Sequence, residues 1–357
     1  MTVGVEEEFL LVDPSTRRPV ARAGDVLARV RGLPPGAQVH RELSCAQVEF
    51  ASGVCADLDE LRDQLVTGRR VLADAAHAEG LKLIPSGAPV LADPDPRLSP
   101  GERFERIDAM YRGQVDDYQC CGCHVHVGVP DRETAVRVVN HLRPWLPTLV
   151  ALGANSPFDR GRDTGYASWR LIDQAGFPGS GVPPFFRTAA DHDVRVGELV
   201  ACGALVDATM TFWLARPSPR YPTVEVRAAD TAATVDDAVL QAGLTRALVD
   251  TALAGGAAPE PDDQVLAAAV WSAARYGSTG PGVDPLAARQ VPAVELVEAL
   301  LEHVSDALGD DREPIRELLR GVLENGTGAQ RQRRAGSPEA AVDLLACTGR
   351  GTGSPPS

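Results

Sequence analysis

The 357-residue sequence has a single lysine, Lys82, among its 35 basic side chains. Its cationic chemistry is therefore arginine chemistry, a planar fork suited to carboxylates and phosphates, with little room for Schiff-base or P-loop catalysis. No GxxxxGK stretch occurs. Positive charge is short as a whole: 35 Lys and Arg stand against 49 Asp and Glu, for a net charge of -14 and a pI near 5.0. That balance argues against nucleic acid or an anionic membrane as the main partner. No run of about 18 apolar residues is found, and no basic start leads into an apolar core segment, so neither export nor membrane spanning is expected and a cytoplasmic protein is. Seven cysteines make an odd count in a long chain, which fits reduced thiols rather than a disulfide framework. Cys120, Cys121 and Cys123 lie close together without a second CxxC pair at finger spacing, which speaks against a zinc site. Internal repeats and long low-complexity linkers are absent as well.

What is present is 44% hydrophobic residues, enough for one large domain or two modest ones. One domain over 1–348 is expected, with a disordered tail over 349–357. Asp57-Leu58-Asp59-Glu60 opens a periodic stretch that closes near Gly80, and Thr234 with Asp237 opens another that runs to Gly255. Further helices are expected at 131–142, 262–275, 292–308, 311–324 and 338–346, the last with Ser337 as cap and Pro338 in its first turn. Strands are expected at 3–12, 46–52, 81–85, 122–129 and 222–229. They do not alternate with single helices as a doubly wound fold requires, so the class is α+β, a mostly antiparallel sheet with helices on one face. GFPGSGVPPF, 176–185, reads as a mobile surface loop.

Alternation along the strands carries the chemistry. In GVEEEFLLVD, 4–13, Glu6 and Glu8 share one face while Val5, Glu7, Phe9 and Leu11 share the other. Two carboxylates that close repel by roughly 4 kcal/mol at an effective dielectric of about 20, so a cation belongs between them. Taken alone, the strand also fits a solvated edge blunted by charge. In AQVEFAS, Glu49 faces away from Val48 and Phe50; in GCHVHVGV, His124 and His126 face away from the cysteines and valines; in PTVEVRA, Glu225 and Arg227 face away from Val224 and Val226. If these strands are neighbours, one sheet face gathers four carboxylates, two imidazoles and a guanidinium. Such a set suits Mg²⁺ or Mn²⁺ shared with nucleotide phosphates. Any one of these residues could instead be a satisfied polar side chain on a wet face.

GVEEEFLLVD, VEFAS, GCHVHVGVP, NSPFDRGRDTGYASWR, TVEVRAAD and AARYG, in this order, resemble the motifs of the YbdK-like carboxylate-amine ligases, also called type 2 glutamate–cysteine ligases. The resemblance runs from Val3 to Ala346. It implies a fold similar to the catalytic domain of glutamine synthetase, a curved antiparallel sheet whose concave face holds metals and ATP. It further implies that Glu6, Glu8, Glu49, His124 and Glu225 are metal ligands, with His126 a further candidate. Arg227 would contact the terminal phosphate and act in catalysis with Glu225. Arg275 of AARYG would join Arg227 on the nucleotide, and Arg162, Tyr166, Ser168 and Arg170 would lie on the substrate side. Glu7 falls on the packing face and is not assigned to the metals. SGAPVLAD, 86–93, lacks the histidine of an SGTHP-like stretch, and 171–186 replaces a more tryptophan-rich one; both would border the substrate end.

The activity so implied is amide formation from ATP, a small-molecule carboxylate such as an amino acid, and an amine, through an acyl phosphate, with glutamate–cysteine ligase-like activity or a specialised amino-acid substrate. No nucleic-acid or membrane partner is expected, and a homodimer is left open. Three alternatives stand beside it: a guanidino-type phosphotransferase, an HxH metal-dependent hydrolase, and a non-catalytic nucleotide-binding protein. The basic run QRQRR, 330–334, reads as a helix flank or a nucleotide-side contact.

Overall fold

A computed structural model describes residues 1–116 and 118–347. Seven strands form one open antiparallel sheet: β1 (Val3–Val12), β2 (Gln38–Arg41), β3 (Gln47–Ala51), β4 (Lys82–Ile84), β5 (Gly122–Gly128), β6 (Ala215–Pro217) and β7 (Thr223–Asp230). Their order is β6-β7-β5-β1-β3-β2, with β4 pairing β1 beyond the end of β3. The long β1 is the axis: residues 3–7 pair with β5 and residues 6–10 with β3.

One face of the sheet is apolar because alternate residues of each strand are. Phe9, Val48, Phe50, Val125, Val127, Val224 and Val226 are buried against helices α1 (Leu58–Ala78), α2 (Arg132–Leu142) and α3 (Val235–Ala254). The helix starts follow the sequence. The Asp57 side chain accepts from Glu60 N, Asp131 accepts from Thr134 N, and Thr234 with Asp237 closes a capping box. Within α1, Gly68 lets the Phe50 ring approach its backbone; a Cβ there would lie 2.3 Å from the ring. Glu7 points into this packed layer and meets Arg69 of α1, Arg69 Nε donating to Glu7 Oε2 at 2.9 Å.

The opposite face is not wholly bare. Leu10, Val12 and Ile84 are covered by Ala341, Val342 and Leu345 of the helix Pro338–Leu345. Cys121 joins this second cluster rather than the core that holds Cys123. The expected alternation fails there because β5 begins only at Gly122. The helix expected at 292–308 is two, Ala293–His303 and Ser305–Leu308, separated by Val304 at φ -98°, ψ 5°. The segment read as a mobile loop is tied down: Ser180–Gly181 pairs in parallel with Phe212–Trp213, and Phe177 is buried. Among the described residues no helix is long and apolar enough to cross a membrane. The tail expected to be disordered from residue 349 lies outside the described residues.

Candidate functional site

Strand register brings the charged faces together. Glu8 stands opposite Glu49, Glu6 opposite His124, and His126 opposite Glu225, which in turn faces Arg216. Past Val226 a bulge in β7 shifts the register before Ala229. These side chains, with Arg227 and Glu42, line a cavity of about 410 Å³. Within it, His124 Nδ1 lies 3.4 Å from Glu6 Oε2 and its Nε2 3.9 Å from Glu8 Oε1. His126 Nε2 is 3.4 Å from Glu6 Oε1, while its Nδ1 meets Thr223 Oγ1 at 3.0 Å. Arg216 grips Glu225 with two bonds, Nε to Oε2 at 2.8 Å and Nη2 to Oε1 at 3.0 Å, and Arg227 Nη1 donates to Glu225 Oε1 as well.

Two groups of three have ligand atoms within 4.8 Å of one another: Glu6, His126 and Glu225, and Glu8, Glu42 and Glu49. They differ in electrostatics. Burial alone would raise Glu6 and Glu225, yet His124 and His126 hold the first below the usual carboxylate range, and Arg216 and Arg227 hold the second well below it. In the other three, burial and like charge outweigh what Arg170, Arg227 and the Gly122 N–H do for Glu8 and what Arg227 does for Glu42. Burial, then the neighbouring Glu42, pushes Glu8 up to about 8; burial raises Glu42; burial, then Glu42, Glu6 and Glu8, push Glu49 well up. This trio holds protons or needs a cation from outside. His124 is pushed down to about 3 by burial and by Arg227, so its ring is neutral and its nitrogens can bind a metal. The Nε2 atoms of His124 and His126 are buried without a hydrogen-bond partner. Burial lowers His126, but Glu6 and Glu225 raise it overall, so this ring would release its proton on binding a cation. A hard divalent ion fits a donor set of carboxylate oxygens and imidazole.

The cavity thus gathers Glu6, Glu8, Glu49, His124, His126, Glu225 and Arg227. The remaining residues named from the sequence do not line it. Arg162 is exposed beside Asp159, at 3.6 Å. Arg275 lies over the Tyr166 ring, 5.4 Å from its centroid, and donates to the Gly165 carbonyl. Ser168 Oγ donates to Asp230 Oδ1 at 2.8 Å in a buried network with Ser156 and Asn155. Arg170 is 1% exposed; its Nη2 donates to the Arg227 carbonyl at 3.2 Å, in the bulged stretch of β7. Ser168 is bonded within the protein, whereas Arg170 keeps its Nε and Nη1 atoms buried without a hydrogen-bond partner. The run 330–334 falls in the helix Gly328–Arg334, where Arg331 pairs with Asp237 and Arg333 with Asp163.

Sequence reading missed Glu42 and Arg216. Glu42 follows β2, whose side chains are mostly exposed, so no alternation marks it. Arg216 stands on the three-residue β6, too short for a periodic signal. A cue was available for Arg216, since a buried carboxylate such as Glu225 beside Arg227 leaves one lone-pair side for a second fork.

Comparisons with known proteins bear on the family and the fold. The sequence profile of glutamate-cysteine ligase family 2 (GCS2) matches residues 2–343. A Saccharopolyspora erythraea protein provisionally named glutamate–cysteine ligase 2-2 is 53% identical over 358 residues, covering 97% of this chain and 92% of the relative. A second from that organism, provisionally named glutamate–cysteine ligase 2-1, is 47% identical over 93% of this chain and 89% of its own. In fold, the crystal structure of a Francisella tularensis glutamate–cysteine ligase in complex with AMP gives a TM-score of 0.72 at 12% identity, over 96% of this chain and 87% of that one. A bifunctional glutathione synthetase from Pasteurella multocida gives 0.70 at 14% identity, over 96% of this chain and 51% of that one. At such identities the two structures speak for the fold alone, whereas the profile and the sequence relatives span nearly the whole chain. The chain belongs to glutamate-cysteine ligase family 2.

Proposed function

We propose that the protein is an ATP-dependent ligase that joins the carboxylate of an amino acid to an amine through an acyl phosphate. The observation that carries the reading is the meeting, on one sheet face, of two three-residue ligand clusters with the Arg216 and Arg227 guanidinium groups. Glu6, His126 and Glu225 would hold one divalent ion and Glu8, Glu42 and Glu49 another, with neutral His124 between Glu6 and Glu8. Mg²⁺ or Mn²⁺ bound there would neutralise phosphate charge.

The chain's own residues do the positioning. Arg227 is fixed by Glu225 and by the bulge that Arg170 holds, so its guanidinium faces the cavity before substrate arrives. A donor fixed in advance stabilises charge on a transferring phosphoryl group without reorganising. A substrate carboxylate oxygen attacks the γ-phosphorus and ADP leaves. The amine then displaces inorganic phosphate to form the amide. No protein nucleophile is required, and Cys120 on the cavity wall is a poor one, because burial and then Asp173 push its thiol well above the usual range.

The names of the sequence relatives make glutamate and cysteine the first pair to assay. The test is stoichiometry: ADP, phosphate and amide released in equal amounts support the ligase. ADP with a stable phosphorylated product and no phosphate would indicate a phosphotransferase, and substrate cleavage without ADP a hydrolase. Arg227→Lys keeps the charge but loses the fork, so kcat should fall about a hundredfold with little change in the KM for ATP.

A further inference from the structure

The acids, imidazoles and arginines occupy only part of the cavity wall. Another part is formed by Leu43, Phe104, Ile107, Tyr118, Met210 and Phe212. These six belong to one hydrophobic cluster, yet Leu43, Phe104, Tyr118 and Phe212 are only partly covered by protein. Phe177 backs the wall, its ring 5.0 Å from Tyr118 and 4.8 Å from Phe212. Phe177 and Gln174 come from 171–186, the segment that departs from the tryptophan-rich pattern noted in the sequence.

We infer that this wall receives the large apolar side chain of one of the two substrates, an amino acid or amine. The inference rests on the ligase reading and narrows its substrate class. Several polar groups beside the wall already have protein partners. The Tyr118 hydroxyl accepts from Gln174 Nε2 at 3.0 Å, and Arg103 is held by Asp207 at 3.0 Å and by Thr209 Oγ1 at 3.2 Å. Thr211 Oγ1 accepts from Arg216 Nη1 at 3.2 Å. A charged or hydroxylated side chain would be desolvated against these rings for few new partners, which selects against it, whereas an apolar one loses nothing. The same argument disfavours the adenine of ATP, whose edge needs hydrogen bonds. A different stretch of the lining suits a nucleotide better: Tyr221 is exposed, its ring 6.1 Å from that of His126, beside exposed Arg220.

The experiment uses the full chain with ATP and Mg²⁺ and pairs L-phenylalanine, L-leucine, L-alanine, L-serine, L-glutamate and L-cysteine in all combinations, reading ADP and amide. Pairs that contain phenylalanine or leucine should exceed those that contain neither by about tenfold or more in kcat/KM, the scale on which apolar pockets discriminate. Phe212→Ala should erase that preference and leave the KM for ATP unchanged. Should that variant fail to fold, Phe104→Ala, on the helix Glu102–Tyr111, answers the same question. Glutamate with cysteine turning over as fast as every phenylalanine or leucine pair would overturn the inference and leave the ligase standing. If no pair yields ADP, the ligase reading fails, and calorimetry decides the wall separately. L-phenylalanine binding that weakens about tenfold in Phe212→Ala supports an apolar site; no binding overturns it.

Discussion

Glu7 stands between two residues assigned to the cavity and yet should behave unlike either. Its side chain is fully buried and its partner Arg69 is 8% exposed, so Glu7→Ala would strand a guanidinium inside the protein. Removing one partner of a buried pair costs about 3–5 kcal/mol. The lower end applies here, because Arg69 keeps a bond to the Ala232 carbonyl at 2.7 Å and lies 5.5 Å from the Phe9 ring centroid. Against a total stability of about 5–15 kcal/mol, that is a large fraction. A loss of about 3 kcal/mol should lower the melting temperature by about 6 °C, taking about 2 °C per kcal/mol for a chain of this size. Circular dichroism melts and urea titrations would read it. Replacing both partners with apolar residues, Glu7→Leu with Arg69→Met, should recover most of the loss. Glu8→Gln should do the reverse, sparing or raising the melting temperature, since it removes a buried carboxyl under repulsion, while abolishing turnover. If Glu7→Ala kept its melting temperature but lost metal-dependent activity, the two faces of β1 would have been assigned the wrong way round.

Turnover should disappear in excess chelator and return with Mg²⁺ or Mn²⁺, and restoration by zinc alone would contradict the oxygen-rich donor set. Glu42→Gln, a residue with no signal in the sequence, should weaken Mn²⁺ binding measured by calorimetry about tenfold or more while leaving the fold intact, on the scale seen when metal-site partners are lost. Cys123→Ala should cost about 1–3 kcal/mol in denaturant titrations through lost packing, with no change in metal requirement. Asp173 is raised to about 6 by burial and then by Asp159. Its folded form binds the proton more tightly than the unfolded one, so the stability it adds is complete below the unfolded value and is lost as pH rises through about 6. Asp173→Asn should therefore flatten the fall in melting temperature between about pH 4 and 6, and an unchanged slope would refute the assignment.

The sheet and most of its cavity face were legible because each of these strands has one face in a packed core and the other on a polar cavity. Val5 and Glu6, or Val125 and His126, differ as sharply in sequence as in surroundings. The α1 and α3 starts were legible because their caps are local. Other features depend on what arrives from elsewhere in the chain. The helix Ala189–Ala201 buries only His192 and Val196, so it shows no apolar stripe. Ser168 and Arg170 carry groups that bind carboxylates in any context; that they meet Asp230 and the β7 bulge depends on segments far away in the sequence. Glu42 enters the acidic trio by the path of a connecting segment, which spacing does not encode.

The position of β1 at the middle of the sheet has a consequence for how the protein is made. A ribosome delivers Glu6, Glu8, Glu42 and Glu49 first, the histidines later, and Arg216 and Arg227 last of all. Until β6 and β7 emerge, β5 presents an unpaired edge, and the early acids lack Arg227, whose charge bears on Glu8 and Glu42 in the finished cavity. The nascent chain therefore carries a bare edge next to concentrated negative charge, a combination that resists pairing with a neighbouring copy. The acids that serve the finished cavity would also guard the unfinished sheet during its synthesis.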